Sequence, residues 1–162
     1  MSFNGAAAKL KPMTAADCAD RCVPRVLVVD DRARTRRALS AVLATRTGFN
    51  LVGEAADVEA LAALEQLRPD IVIVDMRMPR LDGITMTLQI KTQSPWIRVV
   101  AHSLAEDLRA DALAAGADAF VPKGAPGQEL FDALEPVCCD RPQADASPPI
   151  ARRLARVSAR CA

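Results

Sequence analysis

From Arg25 to Val137 the hydrophobic pattern alternates between two periods. Short runs that are apolar on both faces, as central strands of a parallel sheet are, give way to stretches where apolar residues return every three or four positions. Arg25 to Val29 (RVLVV) is the first run and leads into Asp30 and Asp31. Leu51 and Val52 form a weaker second run that closes near Glu54. Ile71 to Val74 (IVIV) is the strongest and runs into Asp75. Arg98 to His102 (RVVAH) and Ala119 to Val121 complete the set, the latter ending at Lys123. Between them, Leu39, Val42 and Leu43 predict a helix over Ala33 to Thr45, closed by Gly48. Asp57 is placed to cap a helix carrying Leu61, Leu64 and Leu67, which Pro69 stops. Ile84, Leu88 and Ile90 are read as the inward side of a third helix, broken by Pro95. Glu106 to Ala115 is a short fourth, ended by Gly116, and Leu130, Leu134 and Val137 mark a fifth.

Five strands alternating with five helices imply an α/β fold: a parallel sheet with helices on both faces, joined by right-handed crossovers. Ligands of such sheets sit at the carboxyl ends of the strands, near the switch in strand order. That rule brings together Asp30, Asp31, Asp75, Ser103 and Lys123, which are far apart along the chain. Three carboxylates in one place repel one another and call for a divalent cation; hard oxygen ligands with an incomplete shell suit Mg²⁺. Lys123 adds a compact positive charge and Ser103 a hydroxyl donor. Phosphoryl transfer needs positioning and charge neutralisation, which a carboxylate nucleophile, a cation and a lysine provide. Taken singly, each residue has a blander explanation: Asp31 as a helix cap, Ser103 as a turn former, Lys123 as a solvated side chain. Their equivalent positions at the ends of four strands favour a site.

Composition narrows the partners. Lys and Arg number 21 against 20 Asp and Glu, so the net charge of +1 gives no general pull toward nucleic acid or membrane. Aromatic residues make up only 3%, with no Tyr, which argues against a stacking surface for single-stranded nucleic acid. The five cysteines (Cys18, Cys22, Cys138, Cys139 and Cys161) lie outside the patterned stretch at spacings unlike a zinc knuckle, and are read as reduced thiols. With no apolar run of spanning length and no signal-peptide pattern, the expected location is cytoplasmic.

Three stretches carry a resemblance: VLVVDD at Val26 to Asp31, IVIVDMRMPRLDG at Ile71 to Gly83, and AGADAFVPK at Ala115 to Lys123. In these the chain resembles a response-regulator receiver domain of two-component signalling, and is most similar to the LuxR/NarL-type subfamily whose receivers usually precede a helix-turn-helix. The resemblance implies a (βα)5, flavodoxin-like sheet with strand order 2-1-3-4-5. It implies Asp75 as phosphoacceptor, with Mg²⁺ (or Mn²⁺) held by Asp30, Asp31, Asp75 and the backbone carbonyl of Arg77. Lys123 would pair with the phosphoryl group, Ser103 would be the hydroxyl that moves toward it, and Phe120 the aromatic switch residue. The phosphodonor would be a histidine kinase or a histidine phosphotransfer protein, and the chain would catalyse nothing beyond its own phosphorylation and dephosphorylation.

The sequence also departs from the family. Counting back from Lys123 without gaps puts Ala101 at the hydroxyl position; matching AHSLAED to the strand end selects Ser103 and shortens the fourth helix by two residues. Ser103 is preferred, since Ala101 has no hydroxyl. Gly124 follows the lysine where many receivers have proline, so no cis peptide is expected there. Arg77 brings a cation near the centre, and Ala105, two residues after Ser103, is small. His102, the sole histidine, should point away from the acceptor pocket because it alternates with Ser103.

The organisation expected is a flexible leader over 1–24, a receiver over 25–137, and a linker over 138–162 that includes the pattern of a short basic amphipathic helix (Ile150, Leu154 and Val157 among arginines). No DNA binding and no membrane contact of this tail are expected. The leading reading is a stand-alone receiver that signals to an unknown protein effector by phosphorylation-dependent contact. A homodimer through the face of the fourth helix, fifth strand and fifth helix is a further option. The alternatives are a phosphorylation-independent scaffold and an aspartyl-phosphate phosphatase, the latter disfavoured because Arg77 cannot serve as its general acid.

Overall fold

The computed structural model describes residues 23–135, apart from the side chain of Val58. The leader to residue 22, Val137, the 138–162 tail and all five cysteines lie outside the described residues. The β-branched runs form five parallel strands: β1 (Arg25–Val29), β2 (Asn50–Ala55), β3 (Ile71–Asp75), β4 (Arg98–Ser103) and β5 (Ala119–Pro122). Their order across the sheet is β2-β1-β3-β4-β5, as expected from the sequence. Strand β3 lies at the middle of the sheet and all five of its residues are buried, which explains why it reads as the strongest run.

Successive side chains leave the sheet on opposite faces, and two apolar cores follow. Val26, Val28, Ile71, Ile73, Val100 and Val121 pack with Leu39 and Leu43 of α1 (Ala33–Ala44) and Leu130, Phe131 and Leu134 of α5 (Gly127–Leu134). Leu27, Val29, Val72, Val74, Val99, Ala101 and Phe120 face the other three helices. These are α2 (Ala60–Leu67), α3 (Gly83–Gln93) and α4 (Arg109–Ala114), with α2 and α4 each preceded by a 3₁₀ turn, Asp57–Glu59 and Glu106–Leu108. No helix among the described residues is long and apolar enough to cross a membrane.

Several expectations about helix faces change. Leu88 is 50% exposed; Gly83, Met86, Thr87 and Ile90 are the buried residues of α3, and Thr87 is tolerated there because its hydroxyl turns back onto the Gly83 carbonyl. In α2 the core-packed positions are Ala60, Ala63, Leu64 and Leu67, one position out of step with Leu61. Asp57 lies inside the 3₁₀ turn, whose N-cap is Ala56; its carboxylate accepts the Arg80 N–H at 3.1 Å and fastens the segment after β2 to the loop after β3. Helix α1 ends at Ala44, ahead of Gly48. Helix α4 is six residues long, and Gly116 beyond it adopts the positive φ of 102° that closes the turn into β5. There is no cis peptide among the described residues, at Gly124 or elsewhere.

Candidate functional site

The chain reverses direction across the sheet between β1 and β3, and the ends of those strands carry Asp30 and Asp75. Both carboxylates are buried, Asp30 to 1% and Asp75 to 3% exposure. Lys123, immediately after β5, reaches over β4 and donates from Nζ to Oδ2 of Asp30 and Oδ2 of Asp75, each at 2.7 Å. One ammonium thus bridges two buried carboxylates and offsets one of their two negative charges. The remaining oxygens are served by the backbone: Arg32 N–H donates to Asp30 Oδ1 at 2.8 Å and Arg77 N–H to Asp75 Oδ1 at 3.1 Å. Burial raises the Asp75 carboxyl above its ordinary value, more than the Lys123 and Arg77 hydrogen bonds lower it, and the nearby Asp30 charge adds to the rise. A more basic carboxylate is the better nucleophile while it stays ionised.

Asp31 joins them from the turn after β1. Carboxylate oxygens of Asp30, Asp31 and Asp75 lie within 4.8 Å of one another, and Asp31 Oδ1 is enclosed without a hydrogen-bond partner among the described residues. An orphaned acceptor beside two carboxylates suits a hard divalent cation. The residues present therefore fit the group that the sequence implies.

The loop from Asp75 to Gly83 is held against the strand. Met76 N–H donates to the His102 carbonyl, and Gly83 N–H to the Met76 carbonyl, both at 3.4 Å. A Cβ on Gly83 would lie 2.2 Å from the Asp75 carbonyl oxygen, so only glycine permits this approach. Asp82 then caps α3, its two carboxylate oxygens accepting Thr85 N–H at 2.9 Å and the Thr85 hydroxyl at 2.6 Å. These hydrogen bonds hold its carboxyl below the usual range.

Ser103 ends β4, buried, with Lys123 N–H donating to its carbonyl at 2.8 Å and Ala105 N–H to its hydroxyl at 3.1 Å. Ala101 sits two residues deeper in the apolar core, paired with Phe120. By alternation, Ser103 leaves the sheet on the same face as Phe120. The Arg109 guanidinium of α4 lies 4.7 Å over the Phe120 ring centroid. Arg77 is exposed and its guanidinium leans 4.0 Å from Asp107, toward the segment after β4.

Two residues escaped the sequence reading. Arg36 supports Asp30 from α1, donating to its carbonyl at 2.7 Å while pairing with Glu54 of β2 at 3.6 Å. His102 does not face away from Asp75. It pairs laterally with Asp75 across β3 and β4, so both side chains leave the sheet on one face. The ring is 8% exposed; burial and the Lys123 charge lower its pKa to about 4. Counting alternation within one strand places His102 opposite Ser103 but cannot place it relative to Asp75, because the register between strands is not written in either.

The fold and site have relatives. Residues 26–135 match the model of the response regulator receiver domain. Response regulator protein VraR of Staphylococcus aureus is 36% identical over 113 residues, 68% of this chain and 54% of that protein. Protein-glutamate methylesterase/protein-glutamine glutaminase 1 of Chromobacterium violaceum is 37% identical over 110 residues, 65% of this chain and 31% of that protein. The chain thus spans about half, or less, of the length of these curated relatives. Among solved structures, a LuxR-family two-component response regulator from Aurantimonas sp. SI85-9A1 aligns with a TM-score of 0.67 at 29% identity, covering 84% of this chain and 98% of that one. The CheX-CheY-BeF3-Mg²⁺ complex from Borrelia burgdorferi aligns with a TM-score of 0.62 at 32% identity, covering 68% and 85%. With its five-stranded order, its acidic pocket and a family match across most of its length, the chain belongs to the response regulator receiver domains of two-component signalling.

Proposed function

We propose that Asp75 accepts a phosphoryl group from a histidine kinase or histidine phosphotransfer protein, and that the chain then signals by protein contact. The observation that carries this reading is the single ammonium of Lys123 at 2.7 Å from both Asp30 and Asp75, with Asp31 Oδ1 left open beside them. An Asp75 oxygen forms the new bond to phosphorus as the donor's P–N bond breaks, and the departing imidazole keeps the electron pair. Asp30, Asp31, Asp75 and the Arg77 carbonyl would hold Mg²⁺ (or Mn²⁺), which when bound neutralises charge on the transferring group. Lys123 pairs with a phosphoryl oxygen. Ser103 turns its hydroxyl toward the same group, and Phe120 follows it inward on the shared face. Because Arg109 rests on the Phe120 ring, that movement is transmitted to α4 and alters the surface of α4, β5 and α5 offered to an effector or to a second copy.

The same reading has the protein act in the cytoplasm, with no enzymatic activity toward other substrates. The central test is labelling by a small acyl phosphodonor: it should require Mg²⁺ and disappear in Asp75→Asn. Equal labelling of that variant would remove Asp75 as the acceptor. A phosphorylation-independent scaffold is the second reading, and the six-residue α4 is the observation that favours it. Partner affinity that ignores BeF3 would select it.

A further inference from the structure

His102 is the buried group at this site that the phosphoryl-transfer reading leaves without a task. Three observations define its surroundings. It lies between Asp75 on β3 and Val121 on β5 in the sheet register, so neighbouring backbones are about 4.8 Å away on each side. Val121 and Lys123 are two residues apart, so the lysine leaves the chain on the His102 face. The imidazole Nδ1 is enclosed with no hydrogen-bond partner among the described residues. An unpaired buried polar atom is costly and uncommon, and a neutral ring in this place offers a lone pair rather than a charge.

Lys123 supplies the other half of the argument. An ammonium has three N–H donors, and two are used by Asp30 and Asp75. The Asp30 carboxylate accepts Arg32 N–H on one oxygen and Lys123 on the other, with lone pairs left over for a cation. When Lys123 swings from Asp30 toward a phosphoryl oxygen, it gives up that partner. It then needs a neutral acceptor that does not hold it back from the phosphoryl group.

We propose that His102 is a positioning residue for Lys123: in the phosphorylated receiver, Lys123 Nζ donates to the phosphoryl oxygen and to Nδ1 of His102. The inference rests on the phosphoacceptor reading. It gives the orphaned nitrogen a partner only in the active state, so His102 favours that state.

His102 is the only histidine in the chain, so its ring nitrogens can be followed by ¹⁵N NMR without ambiguity. In the full-length protein, Nδ1 should resonate as an unbonded, unprotonated nitrogen. With Mg²⁺ and BeF3 added, it should move to the hydrogen-bonded position, and the movement should be absent in Lys123→Met. In parallel, BeF3 affinity at saturating Mg²⁺ should fall about tenfold in His102→Leu, and stay within about twofold of wild type in His102→Asn, whose amide oxygen can replace Nδ1 as acceptor. A merely structural histidine would change thermal stability without this split between the two variants. Wild-type BeF3 binding with an unmoved Nδ1, or wild-type affinity in His102→Leu, overturns the inference while leaving Asp75 as acceptor. Failure of the wild type to bind BeF3 at all overturns both.

Discussion

Gly83→Ala separates two opposite expectations. As the first residue of α3, Gly83 would gain up to about 1 kcal/mol from alanine if helix propensity alone decided. The structure predicts the reverse. The added Cβ would lie 2.2 Å from the Asp75 carbonyl oxygen and 2.6 Å from the Met76 Cα, where ordinary contact begins at 3.4 Å. Both are backbone atoms, so no side chain can turn aside, and the loop must move by more than an ångström. Overpacking of this kind costs about 3 kcal/mol, which outweighs the propensity gain and leaves a net loss of about 2 kcal/mol. The displaced atom belongs to Asp75, the proposed acceptor, so BeF3 binding should weaken about a hundredfold even where the variant is folded. Urea unfolding monitored by circular dichroism measures the first effect, and calorimetric titration with Mg²⁺ and BeF3 the second. An unchanged or higher urea midpoint would refute the close-approach argument.

Three further outcomes follow from the same geometry. Lys123→Met leaves Asp30 and Asp75 buried with no cation; it should cost about 3–5 kcal/mol without Mg²⁺ and visibly less with it, and equal losses of melting temperature in both conditions would contradict the shared-ammonium account. Asp82→Ala removes both bonds to Thr85 and should lower stability by about 1 kcal/mol in urea unfolding, with α3 fraying faster in amide exchange. The folded His102 ring refuses a proton until about pH 4, whereas the unfolded ring accepts one below 6.5, so the unfolded state binds more protons in that window and stability should fall as pH drops. Between pH 7 and 5 this amounts to about 2 kcal/mol, shaped by Lys123 and Asp30 and opposed at the acid end by Asp75, whose raised pKa has the contrary sign. His102→Leu should lose correspondingly less between those two pH values.

The strands, the helix count and the charged residues at strand ends were legible along the chain. A buried parallel strand must be apolar on both faces, and a turn toward solvent must release it, so RVLVV-Asp30 and IVIV-Asp75 announce themselves locally. Helix faces were less so. Leu88 has the right spacing for a core residue, yet it is half exposed and Thr87 is buried instead, its hydroxyl satisfied by the Gly83 carbonyl.

What the sequence determined by itself was which residues can do chemistry and that they meet at one sheet edge: Asp30, Asp31, Asp75 and Lys123. What only the tertiary structure decided was which of them share partners. That Lys123 spans two carboxylates, that Asp31 Oδ1 is left open, that Gly83 rests on the Asp75 carbonyl and that His102 stands beside Asp75 all depend on strand register and on loop closure. Those are set by the packing of two cores on opposite faces of the sheet. A slip of one residue would turn every side chain of a strand to the other face, and it is burial of both faces at once that forbids it.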